Sequence, residues 1–333
     1  MAVALAGGAA APVLTAAPAP MPVPLPAVEE VPVETALLPL TGHTINVGTH
    51  ANPSLAAKID NHPAARPQVG LEHADIVFEE LVEGGMTRYL AVWQSDVPAE
   101  IGPVRSIRPM DPDIVSSFGG IIAYSGGQER FVQLMQAAPV YNAIHGQADT
   151  DATFYRTATK DAPHNVLVMA PALVAEHADL AAPARQFDYG NYLVPSTAKR
   201  SGTPAAAISL KFSEISERGW QWNADRGAWL RSQDGVGDAD AAGAALGATN
   251  LVILRVPISE GLGVPKTELL GAGEAWVASN GAYVHAKWSK SAASDRILLS
   301  DDAGAPILLT PGNSWVELVP DAGAVEFAAA TAP

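Results

Sequence analysis

The stretch ADIVFEELVEGGMTRYLAVWQS, Ala74 to Ser95, decides how the first half of this chain is read. Two runs rich in β-branched and aromatic residues flank Gly84-Gly85, which reads as a β-hairpin closed by a two-residue turn. Pairing Glu83 with Met86 then sets Leu81 opposite Arg88. Strand alternation places Glu79, Leu81, Glu83, Arg88 and Leu90 on one face, with Ile76, Phe78, Tyr89 and Trp93 on the other. A helix over Asp75–Val82 is the competing reading, because a short apolar run does not fix its own period.

Working outward, strands alternate with helices. DPDIVSSFGG offers Asp111 as a helix cap, Pro112 in the first turn and Gly119 as a stop. IIAYSGGQERFVQLMQ reads as a buried strand, Ile121 to Tyr124, a Gly-Gly turn and a helix burying Phe131, Leu134 and Met135. NVLVM is a further strand, and Ala170-Pro171 opens a helix to about Leu180. This half is therefore expected to be an α/β (α+β) N-terminal domain over residues 40–182. A polar, irregular stretch over 183–204 reads as a linker.

A second, smaller, β-rich C-terminal domain is expected over 205–320, followed by a tail, 321–333. Asn280-Gly281 between AWVAS and AYVHAKW signals a type I′ hairpin, and Asp302 to Gly304 turns between ILLS and PILLT. Trp276, Trp288 and Trp315 are its expected core anchors.

The first 39 residues differ in kind. Met1 to Ala19 is uncharged, apolar and rich in small residues, like the apolar and cleavage regions of a secretory signal, but no Lys or Arg precedes it. From Pro18 to Pro39 proline recurs every second or third residue, giving a semi-rigid extended spacer. Export follows as the expectation, with a flexible tail as the alternative. The segment is too broken by Gly and Pro to span a bilayer.

Charge and composition narrow the partners. A net charge of −15 argues against nucleic acid and against polybasic attachment to lipid. With no cysteine, disulfides, thiolate metal sites and a cysteine-borne lipid anchor are all absent from the expectation. No cofactor is implied. Tyr124-Ser125-Gly126-Gly127-Gln128 lacks the lysine and spacing of a Walker loop and the G-x-G-x-x-G pattern. Asp149 and Asp151 fall short of a calcium loop, so no metal is expected.

Polar residues crowd the first half in four strings: IDNHPAARPQ, EELVEGGMTR, GPVRSIRP and APHN. Together with GLEHADIVFEELVEGGMTR, IGPVRSIRP and DAPHNVLV, the first of these resembles the N-terminal domain of the YerB-like bacterial envelope lipoproteins. GAGEAWVASNG and LTPGNSWVELV extend the resemblance to that family's C-terminal domain. It implies a two-domain architecture and an extracytoplasmic, cell-envelope location. It implies no reaction.

On their own terms, Asp60, Asn61 and His62 end a short apolar strand. A carboxylate beside an imidazole can orient a general base, and an Asx turn before Pro63 explains the same residues. Arg66, Arg88, Arg105 and Arg108 carry the planar fork that grips carboxylate or phosphate, and are expected on one concave surface with Ser106 between two of them. The alternative is that Arg105 and Arg108 pair with Glu79 or Glu83 and fix the fold. His164-Asn165 lies in a loop fit for binding or acid–base work. A Ser125–His164–Asp60 triad lacks the G-x-S-x-G elbow.

Two functions stay open. One is an envelope module binding a small or oligomeric anionic ligand (carboxylate, phosphate or glycan) through Asn61, Arg66, Arg88, Arg105, Ser106, Arg108 and Asn165. The other is a hydrolase using Asp60, His62, Glu79, Glu83 or His164 as acid–base groups. Neither oligomeric state nor ligand identity is legible.

Overall fold

LAAKID, Leu55–Asp60, is buried at all six positions, the mark of a strand inside a sheet covered on both faces. The computed structural model describes residues 1–4, 7–10, 34–48 and 52–330. Most of the signal-like segment and spacer therefore lies outside the described residues. Residues 1–33 form a unit of their own, and the elements named below all belong to the unit beginning at Glu34.

In chain order the main strands are β1 (Leu55–Asp60), β2 (Ile76–Leu81), β3 (Thr87–Trp93), β4 (Ile121–Tyr124), β5 (Tyr141–Ile144), β6 (Phe154–Arg156) and β7 (Val166–Val168). They continue with β8 (Ala207–Ser213), β9 (Ser216–Asn223), β10 (Ala228–Gln233), β11 (Asn250–Val256), β12 (Gly271–Ser279), β13 (Ala282–Lys290), β14 (Ser314–Pro320) and β15 (Ala324–Ala328). The helices that matter here are α1 (Asp111–Val115), α2 (Glu129–Gln136) and α3 (Ala170–Glu176).

The first half is a mixed α/β layer and the second is β-rich. The two halves meet in one 11-stranded sheet, in which the named strands run β13-β12-β11-β14-β2-β3-β1-β4-β5. The seam is the parallel pairing of β14 with β2, from Ser314 opposite Ile76 to Glu317 opposite Glu79. A six-stranded sheet containing β15-β8-β9-β10 packs on one face, where Trp220, Trp229, Ile208 and Leu210 meet Tyr89, Trp93, Leu251 and Trp315. On the other face Ile107, Met110, Ile114 and Phe131 cover Ala56, Phe78, Leu90, Ile122 and Leu318.

Several expectations change in detail. The hairpin is a hairpin, but Leu81 pairs with Thr87 and Glu80 with Arg88, one residue out of the expected register. The cause is the loop. Glu83–Gly85 forms a short 3-10 turn, Gly84 and Gly85 take φ of 71° and 73°, and Val82 N–H closes on the Met86 carbonyl. A one-residue slip exchanges every partner across faces. Val77, Glu79, Tyr89 and Trp93 therefore share the face toward β8–β10, while Ile76, Phe78, Glu80, Arg88 and Leu90 share the other.

Asp111 is the first helical residue rather than the cap, a place taken by Met110. Leu134 is exposed while Phe131 and Met135 are buried. The helix after Pro171 ends at Glu176. Asn280-Gly281 turns as expected, with φ of 53° and 71°. Of the three tryptophans, Trp288 and Trp315 are buried and Trp276 is half-buried, while Trp220 and Trp229 complete the core. The stretch read as a linker is packed, with Phe187 and Gln186 buried and the Tyr189 hydroxyl donating to the Leu40 carbonyl. The supposed tail contributes β15, whose AVEFA alternation pairs with β8.

Candidate functional site

The strands β1, β4 and β5 run parallel, and their carboxyl ends open on one edge of the sheet. The connection after β1 packs Leu71 and Ala74 on one face, and that after β4 packs Phe131 and Met135 on the opposite face. Neighbouring parallel strands whose connections leave to opposite faces create a crevice at their carboxyl ends, the usual binding place in open α/β sheets. Asp60 ends β1, Ser125 follows β4 and His145 follows β5.

Asp60 is the hub. Oδ1 accepts from the His62 backbone N–H at 3.1 Å, as in the Asx turn expected there. Oδ2 lies 2.6 Å from His164 Nδ1 and 3.2 Å from Arg105 Nε, the latter an ion contact without hydrogen-bond alignment. The His62 and His164 rings stack, with centroids 4.3 Å apart and planes 13° from parallel. His62 Nδ1 accepts from the Ala64 N–H at 3.1 Å.

Three arginines gather at Arg105–Arg108. Arg88, opposite Asp60 in the β1–β3 register, donates from Nη1 to the Ser106 carbonyl at 2.9 Å. Arg108 Nη1 donates to the same carbonyl at 3.3 Å, and its Nε bonds Glu83 Oε2 at 2.7 Å. No carboxylate forms an ion pair with Arg88 among the described residues. Burial, then the neighbouring Arg108, push its pKa down to about 10; Asp60 opposes this, Arg105 adds a smaller push and Glu83 a smaller opposing pull. Burial raises the Glu83 carboxyl, but its bond to Arg108, a backbone hydrogen bond and the charges of Arg108 and Arg88 together outweigh this and leave it below the usual range.

Under this layer Lys58 is fully buried between Glu80 and Asp111, with Asp111 Oδ1 at 2.8 Å. Burial brings its ammonium down to about 8, Asp111 opposing and Arg88 and Arg108 reinforcing the shift. The other Asp111 oxygen accepts the Arg108 backbone N–H at 2.5 Å. Lys58 is a functional neighbour that sequence reasoning missed. Its signal is a lysine inside a strand that is otherwise apolar up to the closing Asp60. Arg156 is another, its Nη1 bonding Asn165 Oδ1 at 2.7 Å.

The remaining candidates separate. Asn61 is buried and spent on Thr87 and Gln233. Arg66 has Asp234 as its carboxylate partner, at 3.8 Å, and does not share the Ser106 contact. Ser106 Oγ donates to the Ser125 carbonyl. Ser125 Oγ faces His145 Nδ1 at 3.3 Å, so the Ser125–His164–Asp60 grouping does not form as a triad. Burial, then Arg156, holds the His145 ring below its ordinary value.

Glu79 belongs to a different cluster on the opposite face of β2. Its oxygens accept from Arg218 Nε at 2.5 Å, Arg231 Nη2 at 2.6 Å and Thr87 Oγ1 at 2.6 Å. Burial raises this carboxyl, but Arg218 and Arg231 outweigh it and hold it near 2. Neither arginine touches the crevice side. Among the described residues no three His, Asp or Glu side chains are placed to hold a metal ion, and no helix is long and apolar enough to cross a membrane.

The same architecture is found in a known protein. The chain is 27% identical over 298 residues to the protein named "Putative lipoprotein YerB" of Bacillus subtilis (strain 168), covering 87% of this chain and 88% of that one. The crystal structure of the YerB protein from Bacillus subtilis superposes with a TM-score of 0.74 at 23% identity, over 87% of this chain and 99% of the other. Residues 40–183 match the N-terminal domain, and residues 208–316 the C-terminal domain, of the protein family of unknown function DUF3048. The chain belongs to the DUF3048 family.

Proposed function

We propose that this protein is an extracytoplasmic module of the cell envelope that binds an anionic group at the carboxyl ends of β1 and β4. The observation that carries the reading is the arginine excess. Arg88 and Arg108 converge on the Ser106 carbonyl and Arg105 lies against Asp60 beside them, with Asp60 and Glu83 the only carboxylates that these three guanidinium groups contact among the described residues, in a chain of net charge −15. Guanidinium groups brought this close repel one another unless an anion joins them. An oxoanion held by two or three forks relieves that repulsion with charge-assisted hydrogen bonds.

Location rests on two supports: the alanine-rich start with its proline spacer, and the lipoprotein named among its relatives. Fractionating the native host checks it. The expected result is protein outside the cytoplasm, and recovery from cytosol alone refutes it.

Calorimetric titration with inorganic phosphate and with acetate tests the binding. Saturable binding to the full chain, weakened roughly tenfold to hundredfold in Arg105→Lys, is expected because the ammonium keeps charge but loses the fork. Equal affinity in wild type and variant overturns the assignment.

A further inference from the structure

The loop from Gly190 to Ser196 holds two apolar side chains out in solvent, and its own bonds fix them there. Asn191 Oδ1 accepts from the Leu193 and Val194 backbone N–H groups at 2.9 and 2.8 Å, and the Asn191 N–H donates to the Val194 carbonyl at 2.8 Å. Gly190 forms the neck, where a Cβ would lie 2.7–2.8 Å from backbone atoms of Val194, Pro195 and Ser196. Tyr192 and Leu193 are 97% and 84% exposed, more than any other large apolar side chain among the described residues from Glu34 onward. Single exposed apolar residues are ordinary, but two in succession on a fixed turn form a tip.

Two further observations surround this tip. The first is where the chain enters. The Tyr189 hydroxyl donates to the Leu40 carbonyl and the Gln186 N–H to the Pro39 carbonyl, so the segment arriving from the proline spacer joins the fold beside the loop. Leu37 and Val47, flanking that entry in sequence, are exposed as well. The second is charge. From Arg185 to Arg200 the charged side chains are Arg185, Asp188, Lys199 and Arg200. Asp188 is bound by Arg296 at 3.0 Å and lies 4.0 Å from Arg185, while Lys199 and Arg200 have no ion-pair partner among the described residues. This end is locally basic in a chain of net charge −15.

We propose that this end of the protein docks on the surface of a phospholipid bilayer. Tyr192 and Leu193 enter the boundary between headgroups and acyl chains, where an apolar body with a polar tip is favoured. Arg185, Lys199 and Arg200 meet lipid phosphates and offset the repulsion that the net charge brings. A two-fold contact with a second copy would instead set these basic residues against themselves. Docking also fixes an orientation. Gln186 bonds Ser117, two residues before Gly119, whose carbonyl accepts from Ser54 just ahead of β1. Gly190 N–H bonds the Leu309 carbonyl, and Gly312 N–H the Thr41 carbonyl just ahead of β14. The loop therefore sits at the amino ends of the parallel strands, and a bilayer there leaves the arginine crevice on the far edge of the sheet. The inference goes beyond the anion-binding reading and does not depend on it.

The test uses the full chain with vesicles of phosphatidylglycerol and phosphatidylcholine in equal parts, and with phosphatidylcholine alone. Sedimentation with the mixed vesicles is expected, and less with phosphatidylcholine. Tyr192→Ser combined with Leu193→Ser should weaken binding to the mixed vesicles by roughly a hundredfold. Lys199→Gln combined with Arg200→Gln should weaken it roughly tenfold and leave binding to phosphatidylcholine unchanged. All four side chains are exposed, so melting and phosphate affinity should not move. Because the chain has no cysteine, a polarity-sensitive dye can be placed on Leu193→Cys or, beyond the carboxyl end of β5, on Ala148→Cys. Mixed vesicles should shift the first dye's emission to the blue and leave the second in water. Absence of sedimentation, sedimentation undiminished by the serine pair, or a dye on Leu193→Cys that stays in water overturns the proposal. So does wild-type self-association that the serine pair abolishes, found in place of vesicle binding.

Discussion

Glu79 and Glu80 are chain neighbours on β2, and they sit in opposite kinds of arginine cluster. On the Glu79 side the carboxylate is fully buried and meets Arg218 and Arg231 with short, aligned bonds, while Trp220, Trp315 and Tyr89 close over them. Every charge there has a protein partner, and the contact joins the second half of the chain to the first. On the Glu80 side Arg88 has a carbonyl for a partner, Arg105 a poorly aligned carboxylate, and the layer opens to solvent at the strand ends. Arginine density alone does not separate a structural knot from a binding site. What separates them is whether the forks are already filled.

The contrast breaks most sharply by mutation of Glu79. Glu79→Ala removes the common acceptor of two buried guanidinium groups, and breaking such a pair costs about 3–5 kcal/mol. Chemical denaturation should register that loss in full, together with any phosphate binding that depends on a folded chain. A loss below about 1 kcal/mol would mean that this cluster does little to hold the fold. Arg105→Lys makes the converse case. Its effect should fall on phosphate affinity, about 1.5–3 kcal/mol, with melting nearly unchanged. Arg108→Lys, which also loses the aligned Glu83 bond, should lower melting and affinity together. If Arg105→Lys melts early and binds normally per folded molecule, the open cluster is structural too.

Much of this contrast is hidden in the sequence, for identifiable reasons. Strand alternation in IVFEEL and TRYLAVW marks the hairpin, and Asn280-Gly281 marks the second one, because turn chemistry and period are local. At the Gly84-Gly85 loop local signals run out. Two glycines with positive φ fit a two-residue turn and a three-residue one alike, and the choice decides whether Glu79 or Glu80 shares a sheet face with Arg88. The parallel seam of β14 on β2 leaves no local trace, since both strands read as ordinary apolar runs. Consequently nothing local points to Arg218 and Arg231 as the partners of Glu79. Asp60, His62, Arg88, Arg105, Arg108 and His164 are visible as chemistry-bearing types in short strings, but only the fold pairs His164 with Asp60 and takes Asn61 out of play.

The smallest expected effect is also the one that tests how completely the closed cluster is satisfied. Glu317 opposes Glu79 in register on the neighbouring strand, accepts from Trp220 Nε1 at 2.8 Å through one oxygen, and leaves its other oxygen buried without a partner. Burial, then the adjacent Glu79 carboxylate, push this carboxyl up to about 8, against the opposing pull of Arg231. A folded-state value above the unfolded one means that the protonated form is favoured on folding. The associated stability is therefore present below about pH 4.5 and declines as pH rises toward 8. Glu79, held near 2, contributes in the other sense: its stability is present above about pH 4.5 and is lost as pH falls toward 2. Glu317→Gln keeps an acceptor for Trp220 and abolishes the titration. It should leave stability at pH 5 nearly unchanged and raise it at pH 8–9 relative to wild type. Parallel melting curves for the two proteins across that range would show that the second carboxylate is ionised in the fold, and that the closed cluster has charge to spare after all.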